Sequence, residues 1–465
     1  MTRSGRLIVV SAGMVMALVV PQRVLAHGLG GRQDLPVPLE FFIVGAAMVL
    51  VVSFVALSVL WPQARLQDPP KAKTVATGGL VTALFRVGGL LGVVSLFLVL
   101  VAGVTGAPNP VRNPAPVMVF VVFWLIVPLL SAMIGNIYPV IDPWRRLAAP
   151  LDTSQEDEHR RRVRVGYLPA AAAFAGFTWL ELVAPDAGPR NLSIAARVYT
   201  VYLLASAAWV GTEQMTMSFD GFAAYNRLLG AMGPLRFDRD SISWRGWLRG
   251  LAHVDERRGL VLLVVLMIGT VTYDGMSGAL WWEETVTTWS RSSLSTWFGL
   301  SRTAADVVTG SVAMFGVVAV IGGAYWLACR AAAGIAGPGL SAGSVAVRFA
   351  HTLVPIAFAY AFAHYFTLVL FEGQLFLSTI SDPLGLGWDL FGTADRTVNY
   401  TLIDPTTTWY VQVGVIVAGH VGGVVLAHDR ALADFPPDTA VRSQYAMLAL
   451  MVVLTGLGLA VLAAG

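Results

Sequence analysis

The chain has 465 residues, of which 56% are hydrophobic and 13% charged, with a formal net charge of +3. A soluble domain carries about 25% charged residues, so this composition cannot cover a water-facing surface, and the small net charge gives no basis for nucleic-acid binding. A single cysteine, Cys329, excludes an internal disulfide and any multi-cysteine metal site.

The chain opens with Arg3 and Arg6, an apolar stretch, Pro21 and then Val24-Leu25-Ala26. This order predicts a cleaved secretory signal over 1–26 rather than a spanning helix, with His27 as the mature N-terminus. Ten apolar segments follow, near 41–61, 79–104, 117–138, 167–183, 195–214, 259–274, 305–329, 344–371, 408–428 and 444–463. Most approach the roughly twenty residues that cross a bilayer as a helix. None shows the ten-residue alternation of a membrane β-barrel. The expected fold is all-α, a polytopic transmembrane helix bundle of about ten spans forming one domain over 27–465.

Charge sets the expected orientation. Loops 62–78, 139–166, 215–258, 330–343 and 429–443 hold nineteen Lys and Arg, against six in the alternate loops. By the positive-inside rule the first group is cytoplasmic. Both mature termini are then outside a bacterial inner membrane. The loops 275–304 and 372–407 become long outer loops, and Trp281, Trp282, Trp289 and Trp297 an interfacial belt. Asp220 and Asp274 each precede glycine near a span boundary, which reads as helix capping or a turn.

The polar groups inside the spans attract attention because hydrocarbon penalises them. In the eighth segment Arg348 and His351 share a face. Pro355 cannot donate to the carbonyl of residue 351, so a kink is expected there. Tyr360, His364 and Thr367 form a polar stripe, and Glu372 closes the segment. In the ninth, Gly414, Ala418 and Gly422 form a small-residue seam, His420 lies at mid-depth, and His428 and Asp429 lie at the inner end. These groups suit three readings: a metal site, a haem site or a proton path. The alternative for each histidine is a bond to a local carbonyl or tyrosine.

The stretches "AHGLGGRQDLPVPLEFFIVGAAMVLVVSFVALSVLW", "LVPIAFAYAFAHYFTLVLFEGQ", "SDPLG" and "GHVGGVVLAHDRAL" resemble bacterial membrane proteins labelled as fenitrothion hydrolases. The resemblance implies hydrolysis of an organophosphorus triester at the cell membrane, with water replacing a phenol leaving group. It assigns no residue roles. A bound divalent metal would activate such a water. The candidate ligands are His364, Glu372, Asp274 and His27, with His364, Glu372 and Tyr360 as candidate catalytic groups and a small apolar substrate entering from the lipid bilayer. A transporter or a haem b protein would instead use His351, His420 and Arg348, and His27 with its amino group could chelate copper.

Overall fold

Residues 36–68, 73–151 and 165–464 are described by the computed structural model; the expected signal segment and His27 lie outside them. Among the described residues, nine helices are long and apolar enough to cross a membrane. They are Leu39–Leu60, Gly79–Thr105, Pro114–Ile134, Pro189–Val210, Leu260–Ser277, Arg302–Ala336, Ala342–Ser381, Pro405–Asp434 and Arg442–Ala464. A shorter apolar helix, Leu168–Leu182, completes the correspondence with the ten expected segments. Many helices leave large apolar side chains uncovered, among them Phe41, Val52, Val59 and Val312. Water would penalise such a surface and hydrocarbon does not. The chain is a multi-pass, all-α membrane protein.

It divides into two compact units, each discontinuous in sequence. Of the described residues, the first comprises 36–63, 269–346 and 405–464, and the second 64–68, 73–151, 165–268 and 347–404.

In the first unit, helix Leu39–Leu60 packs on Pro405–Asp434 and Tyr445–Ala464. Leu50 and Phe54 are buried in this unit, and Phe42 meets the buried Trp409 edge-on with ring centroids 5.3 Å apart. Much of the expected outer loop 275–304 is helical, as Leu280–Trp282, Glu283–Thr287 and Thr288–Phe298. Arg291 anchors it: Nε and Nη2 donate to Asp306 at 2.5 and 3.2 Å, and Nη1 donates to Glu283 at 2.5 Å. Trp281, Trp289 and Trp297 are exposed as a belt requires, but Trp282 is buried, edge-on to Tyr273. The small-residue seam expected on the ninth segment differs from the structure, because a side chain at Gly414 would meet nothing within 4 Å.

In the second unit the close approaches fall on helix Gly79–Thr105. A Cβ at Gly88 would strike Val140, one at Gly89 the Arg146 side chain, and one at Gly92 the carbonyl of Ile141. Glycine lets the segment 138–146 lie directly against this helix. Helix Pro189–Val210 packs on the same helix, and Gly221–Gly230 packs on Val127–Ile134 and Leu168–Leu182. A small antiparallel sheet, Lys73–Thr77, Ser241–Trp244 and Leu235–Phe237 in that spatial order, occupies two of the expected cytoplasmic loops. The eighth segment is interrupted, as expected. Helix Ala342–Phe349 gives way to a tight 3-10 turn at Ala350–Leu353, and Val354–Phe371 restarts with Pro355 in its first turn. Proline fits there because a first-turn N–H has no helical acceptor.

Candidate functional site

Two short sequences in the second unit build the most unusual polar feature of the fold. In "YPVIDPWRR", Asp142 caps helix Pro143–Ala148 and accepts the backbone N–H of Arg145 at 3.0 Å. In "SFDGFAAY", Asp220 caps helix Gly221–Gly230 and accepts the N–H groups of Phe222 and Ala223 at 2.9 and 3.0 Å. Capping is what the DG pattern implied for Asp220. Asp274, by contrast, lies within the last turn of helix Leu260–Ser277, where its carbonyl accepts the Ser277 hydroxyl at 2.9 Å.

Both carboxyls are buried, Asp142 at 1% and Asp220 at 0% exposure. Tyrosines surround Asp220. Tyr199 donates to Oδ1 at 2.8 Å and Tyr138 to Oδ2 at 3.1 Å. The Tyr199 oxygen in turn accepts the Gly221 N–H at 3.0 Å, and Tyr202 donates to the Phe219 carbonyl at 3.2 Å. Asp220 therefore holds four donors, an arrangement that favours a carboxylate over a neutral acid. Asp142 is less well supplied: its Oδ2 is buried and has no hydrogen-bond partner.

The pair perturbs its own chemistry. Burial, and after it the charge of Asp220, pushes the Asp142 carboxyl up to about 7. Burial also raises Asp220, against the opposing pull of its hydrogen bonds. Tyr138 stands well above the usual phenol range, first through burial and then through Asp220. Two close acids in a low-dielectric site share protons rather than ionise together. The four donors on Asp220, against the open oxygen of Asp142, favour the negative charge on Asp220.

Beside this pair lies a cavity of about 950 Å³, between helices Gly79–Thr105, Pro114–Ile134, Leu168–Leu182 and Pro189–Val210. Its wall is apolar and rich in rings, including Phe123, Trp144, Phe177 and Phe222. Phe123 and Phe222 have centroids 4.6 Å apart, and Trp144 and Tyr199 5.0 Å. No Lys, Arg, His, Asp or Glu lines it. Tyr199, which donates to Asp220, is part of the wall, as are Ile141 and Pro143 on either side of Asp142. A large apolar pocket with a few convergent polar groups and displaced acidities is the usual form of a small-molecule site.

The residues singled out from sequence are placed elsewhere. Arg348, His351, Tyr360, His364 and Glu372 belong to the second unit, and Asp274 and His420 to the first. His351 and Tyr360 are buried, while Arg348, His364 and Glu372 are half-buried. Glu372 accepts the Tyr400 hydroxyl at 3.2 Å. The Nδ1 of His420 lies 2.8 Å from the carbonyl of Ile416, one turn back in its own helix, as the local reading of each histidine anticipates. The metal expectation resting on His364, Glu372 and Asp274 is not met: no group of three or more His, Cys, Asp or Glu side chains among the described residues is placed to hold a metal ion. Asp142, Tyr138 and Tyr199 escaped the sequence reading. The available signal was the pair of N-cap patterns, Asp-Pro and Asp-Gly, at the edges of apolar segments.

The fold and this site define a polytopic helical membrane protein with an apolar cavity bordered by a buried acid pair. No protein-family model matches the chain, and no curated protein or solved structure is significantly similar to it.

Proposed function

We propose that the protein takes a small lipophilic molecule from the bilayer into the cavity of its second unit and couples that binding to a proton held by Asp142 and Asp220. One observation carries this reading. Tyr199 lines the apolar wall and donates its hydroxyl to a buried carboxylate, so a guest against the wall bears on the group that fixes the acid pair's charge. Movement of the molecule across the membrane with a proton would make the protein a proton-coupled transporter. The positive-inside charge pattern supports a bacterial inner-membrane location with the Arg-rich loops in the cytoplasm.

Calorimetric titration of the purified protein with 4-phenylbutanol, in two buffers of different ionisation enthalpy, tests the reading. The expected result is saturable binding with a buffer-dependent heat that reports proton transfer and disappears in Asp142→Asn. Absence of binding, or binding with identical heats in both buffers, removes it.

Hydrolysis of a neutral aryl phosphotriester, which the resemblance implies, is the second reading. It is favoured by the aromatic, uncharged wall of the same cavity and by an adjacent carboxyl able to accept a proton from water near neutral pH. Release of nitrophenolate from a dialkyl nitrophenyl phosphate, lost in Asp142→Asn, would support it. Release no faster than in buffer would discard it.

A further inference from the structure

Among the described residues, no basic side chain bonds either acid. The charge of Arg145 acts on Asp142, but that guanidinium is engaged elsewhere: its Nη2 donates to Glu213 at 2.9 Å. The donors around Asp220 are neutral hydroxyls and backbone amides, and the cavity wall contributes no basic side chain. Yet Asp142, 1% exposed, keeps a carboxyl oxygen with no hydrogen-bond donor. A buried carboxylate gains from a paired cation, and the described residues bond none to Asp142 or Asp220. The wall offers what an organic cation needs: the aromatic rings of Phe123, Trp144, Phe177 and Phe222, and hydrocarbon for the rest of the molecule.

We infer that the physiological ligand is a cationic amphiphile, an apolar or aromatic body carrying a protonated amine, whose ammonium supplies a countercharge to Asp142 and Asp220. The inference rests on the cavity being a lipophile site and narrows it to one class. Seated at the wall beside Ile141, Pro143 and Tyr199, the ammonium brings a positive charge next to the acid pair behind them. Carboxylates and phosphates are disfavoured, because they would bring a second negative charge beside a buried acid pair.

The test uses three probes with the same phenylbutyl body, 4-phenylbutylamine, 4-phenylbutanol and 4-phenylbutyrate, titrated into the full-length protein in nanodiscs. The expected order is amine tightest, by about tenfold or more over the alcohol, with the butyrate weakest. In Asp142→Asn and Asp220→Asn the amine's advantage should collapse to less than about twofold, while the alcohol still binds and reports a folded cavity. Equal affinity for amine and alcohol in the wild type overturns the cationic class but leaves the lipophile reading standing, as does a preference for the butyrate. An amine preference that survives in both variants overturns the role of the acid pair. Failure of all three probes to bind removes the lipophile reading itself.

Discussion

Two buried polar sites, one in each unit, are supplied differently. In the first unit, His428 and Asp429 sit near the C-terminal end of helix Pro405–Asp434, both fully buried. His428 Nε2 lies 3.0 Å from the carbonyl of Trp61, and Nδ1 lies 3.1 Å from Oε1 of Gln444. The Gln444 amide nitrogen donates to the Ala440 carbonyl at 2.8 Å, which turns its oxygen toward the ring. Trp61 Nε1 donates to Asp429 at 3.0 Å. Each imidazole nitrogen lies within reach of an acceptor oxygen, only one of which a neutral ring's single N–H can serve, and the partners come from the ends of two further helices. In the second unit Asp142 keeps an oxygen with no donor, next to residues that wall a large cavity. The first site ties the ends of three helices together, whereas the second leaves a buried oxygen without a donor next to a cavity wall.

Substitutions can break or sharpen that contrast. The largest expected effect is Asp220→Ala, which strips four donors of their acceptor and a helix of its cap. A loss of about 3–5 kcal/mol is expected, read as a drop in melting temperature of the purified protein. A melt close to wild type would show that the carboxylate does not organise this site.

Asp142→Asn should act in the other direction and depend on pH. The folded carboxyl titrates near 7 against 3.8 when unperturbed, so the folded state binds the extra proton between those values. The stability contributed by that proton is fully present below about pH 4 and is lost as pH rises toward 7. The uncharged variant escapes that loss. Its advantage over wild type should therefore widen from pH 5 to pH 8 by about 3 kcal/mol, at roughly 1.4 kcal/mol per pH unit up to about 7. Parallel stability curves for the two proteins across this range would refute the assignment.

His428→Ala should cost about 2–3 kcal/mol through the lost ring contacts with Trp61 and Gln444 and the vacated volume, yet leave phenylbutanol affinity unchanged. An altered affinity would mean that this network is more than glue. The smallest effect belongs to Gly92→Ala, whose methyl meets the Ile141 backbone. It should destabilise by about 1–2 kcal/mol and weaken phenylbutanol binding by displacing the segment that carries Asp142. A fully neutral outcome in thermal melts would show that this segment yields easily.

The ten apolar segments were legible because bilayer length and composition leave little freedom: each expected span has its helix, down to the break that Pro355 signals. Helices inside loops were harder to read. Residues 280–298 are polar enough to pass for a connection, and only the Arg291 pairs with Asp306 and Glu283 explain their order. The candidate site was hidden for a different reason. Histidines drew attention because they are rare in spans, but His420 turns to its own helix and His428 to the ends of two others. Asp142 and Asp220 look like ordinary caps, and each is one. Their significance arises only when residues 78 positions apart fold onto the same tyrosines, which no local pattern announces.

The glycine face of helix Gly79–Thr105 has a consequence for how protons travel. Gly88, Gly89 and Gly92 bring residues 140, 141 and 146 against that helix with no intervening side chain, so the backbone carrying Asp142 has little room to shift. A carboxyl seated this firmly cannot swing out to fetch a hydrogen ion from the aqueous phase. Under the proposed coupling, a proton would reach this carboxyl through a neighbouring phenol or through the guest, not by movement of Asp142 itself.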